Sequence, residues 1–136
     1  MSLNLPFHHI GIACYDINAT AEFYEGLGYT KSETTYDPIQ NVYICFLHKD
    51  GEVCIELIAP HDETSPINKN LQKNGVTPYH LCYEAENVEA VIAELKKEKF
   101  LQVSRLAPAV AMGNKRVCFL FSKAVGLIEL VEMRAT

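Results

Sequence analysis

His8–Tyr29 reads HHIGIACYDINATAEFYEGLGY, and Tyr79–Phe100 reads YHLCYEAENVEAVIAELKKEKF. The two align without a gap, His9 on His80, at an offset of 80 − 9 = 71. The strands that follow repeat as well. Cys45-Phe46-Leu47 matches Cys118-Phe119-Leu120, and Glu56 matches Glu129, both at 129 − 56 = 73. Self-similarity at such a period marks a duplicated supersecondary unit. Each copy carries one histidine and one glutamate at matching places on apolar strands.

Hydrophobic periodicity assigns the elements. Residues 7–14 alternate, with Ile10, Ile12 and Cys14 facing one way and His9, Gly11 and Ala13 the other. Asp16 caps a helix whose Ile17, Ala21 and Tyr24 form one stripe and which stops at Gly28. Strands follow at about 29–35, 42–48 and 52–58, the last two joined by an Asp50-Gly51 turn. The second copy has a strand at 78–84, an Asn87-capped helix with Val88, Val91, Ile92 and Leu95 on one face, and strands near 100–106, 115–122 and 126–132. Two tandem βαβββ modules result, 7–60 and 78–134, within one α+β domain. The linker 61–77 carries a short helix opened by Ser65-Pro66 and closed by Gly75. Leu106–Lys115 reads as a loop able to border a site.

Composition narrows the function classes. A net charge of −5, without a Lys/Arg run, argues against nucleic-acid binding. No segment has the apolar length of a membrane span, and MSLNLPFHH lacks a secretion signal, so a cytoplasmic protein is expected. Five cysteines, with no C-x-x-C pair, read as reduced structural thiols.

A carboxylate in the middle of an apolar strand must be paired, protonated or bound to a metal. Strand parity sends His9, Glu56, His80 and Glu129 to the face away from the helices, and pairing the modules would turn that face into a cleft. Two imidazoles and two carboxylates suit a divalent ion such as Ni²⁺, Co²⁺, Mn²⁺, Fe²⁺ or Zn²⁺. An octahedral ion would keep two positions for substrate oxygens, an arrangement that polarises a carbonyl and stabilises an enolate. The competing reading is structural, because duplication copies a packing residue as faithfully as a ligand. His8, His48 and His61 read as structural or solvated. Lys115 and Arg116 could hold an anionic substrate group at the cleft mouth. No phosphate-cradling loop or nucleophile triad stands out.

Across about residues 7–132 the chain resembles the vicinal oxygen chelate superfamily, which includes glyoxalase I, extradiol dioxygenases and bleomycin-resistance proteins. HHIGIACYDI, SPINKNL, IQNVYICFL and the closing GLIELVE are closest to its methylmalonyl-CoA epimerase-like branch. The chain departs from that branch at GVTPYH, at AVAMGNKR, at Ser122-Lys123 and at Ile44, where some epimerases carry an extra acid. The resemblance implies a half-barrel cleft, metal ligands at His9, Glu56, His80 and Glu129, and proton transfer by Glu129. It also implies a homodimer acting on a small molecule such as an acyl-CoA thioester. The leading expectation is a divalent-metal isomerase moving a proton next to a carbonyl. The alternatives are glyoxalase I (lactoylglutathione lyase) chemistry and a non-catalytic binding or resistance protein.

Overall fold

A computed structural model describes residues 2–134. Its contacts divide the chain into two units: His9–Tyr79, and the residues from His80 onward together with the N-terminal arm through His8. Among the described residues there are ten strands and three α-helices, a mixed α+β fold.

The first module runs β1 (Phe7–Ala13), α1 (Ile17–Gly26), β2 (Thr30–Lys31), β3 (Thr35–Asp37), β4 (Val42–His48) and β5 (Ile55–Pro60). Its strands lie in the order β2-β4-β5-β1, with β3 also on β4. The helix α2 (Ile67–Asn74) follows and belongs to this unit, where Tyr15 Oη donates to the Leu71 carbonyl at 3.1 Å. The second module runs β6 (Thr77–Ala85), α3 (Val88–Lys97), β7 (Leu101–Gln102), β8 (Ala107–Ala109), β9 (Lys115–Ser122) and β10 (Gly126–Glu132). Its order is β6-β10-β9-β7, with β8 also on β9.

The duplication extends to individual hydrogen bonds. Asp16 accepts from the Ala19 N–H at 3.2 Å, and Asn87 accepts from the Ala90 N–H at 3.1 Å, so both helices start on equivalent side-chain caps. Both end with a left-turning residue, Gly28 at φ 99° and Lys99 at φ 67°. The parallel pairs have the same register, Gly11 beside Glu56 and Cys82 beside Glu129. One face of each sheet packs on its helix. Ile12, Cys14, Cys45, Leu47, Ile55 and Leu57 meet Ile17 and Ala21 in the first module. In the second, Cys118, Leu120, Ile128 and Leu130 meet Val88, Val91, Ile92 and Leu95. By strand alternation the other face of each sheet carries the histidines and glutamates.

Four expectations change. The strand at 29–35 is two short strands, because at Ser32 the Phe46 N–H donates to the side-chain Oγ at 2.8 Å rather than to a backbone carbonyl. The strand at 100–106 shortens to β7 for the same reason, with Ser104 Oγ accepting from Phe119 N–H at 2.8 Å. The strand expected from residue 52 begins at Ile55, since the tight turn continues through Glu52, whose N–H donates to Lys49 O at 3.0 Å. Leu106–Lys115 is more regular than a loop: β8 pairs antiparallel with β9 and a 3₁₀ turn spans Val110–Met112. At α2, Gly75 closes the helix at φ 69°, but the Ser65 hydroxyl makes no capping bond.

Patterning missed the arm before β1. Leu3 and Leu5 pack on the second module's core, and the Glu84 N–H donates to Pro6 O at 2.8 Å. Among the described residues no helix is long and apolar enough to cross a membrane.

Candidate metal centre

In the first module β1 presents His9 and β5 presents Glu56, with Nε2 3.2 Å from Oε1. His9 is 0% and Glu56 2% exposed. The second module repeats the arrangement. His80 Nε2 lies 3.2 Å from Glu129 Oε1, at 4% and 1% residue exposure. Phe46 stands opposite Glu56 in the ladder and turns its ring edge-on to His9, at 5.5 Å and 75°. Phe119 stands opposite Glu129 and does the same to His80, at 5.1 Å and 87°. A serine then fixes each phenylalanine's backbone: Ser32 for Phe46 and Ser104 for Phe119. The sequence carried this support in the Cys-Phe-Leu match, but its role needed the register to be seen.

The donor set fits a divalent cation. Zinc–nitrogen and zinc–oxygen bonds of about 2.0–2.2 Å place neighbouring ligand atoms roughly 3 Å apart, the spacing each pair adopts. Holding the pairs as ordinary ion pairs would instead require buried imidazolium groups, whose desolvation costs several kcal/mol each. Neutral imidazole beside carboxylate, with a cation between, removes that cost.

The other candidates separate by strand parity. Arg116 lies on the helix side of β9 and is engaged there. Its Nε reaches Glu132 Oε2 at 3.2 Å, its Nη2 reaches Glu89 Oε1 at 3.1 Å, and its backbone N–H donates to Glu132. In that network the Arg116 donors serve α3 and β10. Lys115, one residue earlier, has the parity of the open face. Burial pushes Glu132 up, but the Arg116 side chain and N–H outweigh it and hold the carboxyl below its ordinary value.

His61 packs against Tyr36 with centroids 4.3 Å apart and the rings tilted by 36°, and hydrogen-bonds Asn41 Oδ1 through Nδ1 at 3.1 Å. His48 lies over Phe46 at 6.2 Å. Ile44 is buried on the open face of β4. Burial pushes the thiols of Cys14, Cys45, Cys54 and Cys118 up to about 11, so they act as small apolar groups rather than nucleophiles.

Residues 8–119 match the model of the glyoxalase/bleomycin resistance protein/dioxygenase superfamily. The mitochondrial methylmalonyl-CoA epimerase of Homo sapiens is 36% identical over 127 residues, covering 90% of this chain and 71% of that protein. The crystal structure of methylmalonyl-CoA epimerase from Mycobacterium tuberculosis superimposes with a TM-score of 0.84 at 29% identity, over 97% of this chain and 91% of that one. A methylmalonyl-CoA epimerase in complex with methylmalonyl-CoA and NH4+ gives 0.82 at 30% identity, over 96% of each chain.

Proposed function

The chain belongs to the glyoxalase/bleomycin resistance protein/dioxygenase superfamily, and on that premise we propose that it is a divalent-metal epimerase acting on the acyl-CoA thioester methylmalonyl-CoA. The observation that carries this reading is the buried His–Glu pair, built twice with the same 3.2 Å separation and the same phenylalanine behind it.

His9, Glu56, His80 and Glu129 are the residues that would hold the ion. When bound, it supplies a Lewis acid that polarises a carbonyl oxygen and eases loss of the neighbouring proton. The chain's own residues do the rest. Glu129, as carboxylate, takes the proton from the carbon between the thioester carbonyl and the substrate carboxylate. The resulting enolate is planar, so Glu129 releases the proton it took to solvent while a solvent proton adds to the opposite face, which inverts the centre. Phe46 and Phe119 keep water from the histidines and fix their ring planes. Ile44 leaves the face of β4 without an extra acid. Lys115 offers a cation for the substrate's carboxylate or phosphates. The relatives reported above are epimerases, which favours this reading over glyoxalase I chemistry or simple sequestration. The active species is a homodimer, which sedimentation of the purified protein checks.

The test is interconversion of the two C2 epimers of methylmalonyl-CoA by protein loaded in turn with Co²⁺, Ni²⁺, Mn²⁺, Fe²⁺ and Zn²⁺. Turnover with at least one ion and none after chelation is expected. Equal turnover with and without chelator would overturn it.

A further inference from the structure

Among the places where the two modules differ on their open faces, one is an exposed apolar row. In the second, Phe121 pairs with Leu101 on one side and Leu127 on the other, so these three apolar side chains form a row across β7, β9 and β10. Leu127 immediately precedes the Ile128–Leu81 partners, which sets it level with His80. The row therefore begins beside His80 and runs outward to the edge strand. It is open to solvent: Phe121 is 42% and Leu101 69% exposed. Val103, 55% exposed, continues it and donates its N–H to Phe119 O at 2.9 Å.

The first module places polar residues at two of these three positions and Cys54 at the third. Position 121 − 73 = 48 is His48, and position 101 − 71 = 30 is Thr30, paired with each other as Phe121 pairs with Leu101. Duplication alone would have copied one character into both. A contiguous apolar row exposed on only one copy, continuous with the His80–Glu129 pair, marks a binding surface rather than scattered surface residues.

Resting on the epimerase reading, we propose that the Leu127–Phe121–Leu101 row seats the apolar part of the substrate's pantetheine arm. Three strands spaced about 4.8 Å apart give an apolar run of about 10 Å, longer than a methyl branch fills and suited to an extended chain. The gem-dimethyl and ethylene groups of pantetheine supply the matching apolar surface. The arm's orientation follows: the reacting carbon sits at the His80 end and the nucleotide lies beyond β7.

Leu101→Thr/Phe121→Thr tests this while keeping β-forming side chains and resembling the polar character of the first module. In epimerisation assays the double variant should raise KM for methylmalonyl-CoA about tenfold and KM for the N-acetylcysteamine thioester less than twofold. Calorimetry with propionyl-CoA and propionyl-N-acetylcysteamine should show the same split in Kd. Equal losses for both thioesters, or no loss for either, would overturn the proposal. Absence of turnover by the parent protein would count against the epimerase reading, while the calorimetric split would still decide the arm's seat.

Discussion

On the proposed reading Glu129 would have two duties, ligand and base, and its substitutions should separate them. Glu129→Gln keeps the side chain's shape and one oxygen but removes the proton acceptor. Its kcat should fall by about 10²- to 10⁴-fold, the usual worth of a positioned general base, while the fold stays intact by circular dichroism. His80→Ala removes a ligand outright and should cost metal content measured on the purified protein. Phe119→Leu leaves every ligand in place and loosens only the ring edge against His80. A loss of about 10- to 100-fold in metal affinity is expected, as for other groups that orient a ligand. These side chains were readable from the repeat because strand parity and burial both act on single residues. Arg116 was not, since its partners Glu132 and Glu89 lie 16 and 27 residues away and only the folded sheet brings them to it.

At the scale of elements, equivalent caps should behave equivalently. Asp16→Ala and Asn87→Ala should each cost about 1 kcal/mol of stability, read from urea melts. The helix ends are unequal, because Lys99 adopts a φ of 67° where the first module has glycine. Lys99→Gly relieves that left-handed strain and should stabilise the protein by up to about 1 kcal/mol. The Arg116–Glu132 contact ties β9 to β10 and gives stability a pH dependence. Glu132 titrates lower in the folded chain than unfolded, so its contribution is complete above the ordinary carboxylate value of 4.5 and is lost as pH falls through the folded value. Asp62, held down to about 2 by Thr64 and Asn41, adds a loss in the same direction between its ordinary 3.8 and that value. Glu132→Gln should flatten the acid limb of a melting-temperature profile and leave the neutral plateau lower. Strands β4, β9 and β10 were legible because their alternation is long. The short strands β2 and β7 were not, since the Phe46 and Phe119 N–H groups donate to the Ser32 and Ser104 side chains and cut the regular ladder short.

At the scale of the molecule, the proposed reading makes a duplicated fold asymmetric in what it would offer a substrate. The repeat pointed to two modules and to four candidate ligands. It could not show the N-terminal arm packed on the second core, because Leu3 and Leu5 precede the repeated pattern. Metal bound only by the folded chain would stabilise it by mass action. Metal at a hundred times its Kd should therefore stabilise the folded chain by about 2.7 kcal/mol, visible as a concentration-dependent rise in melting temperature that EDTA reverses. The central claim is proton transfer at the carbon next to a thioester. Its most direct test is incorporation of solvent deuterium at C2 of methylmalonyl-CoA, followed by NMR with metal-loaded protein in D₂O. The account predicts rapid exchange by the parent chain and near-background exchange by Glu129→Gln. Exchange by the parent no faster than by chelated protein would contradict it.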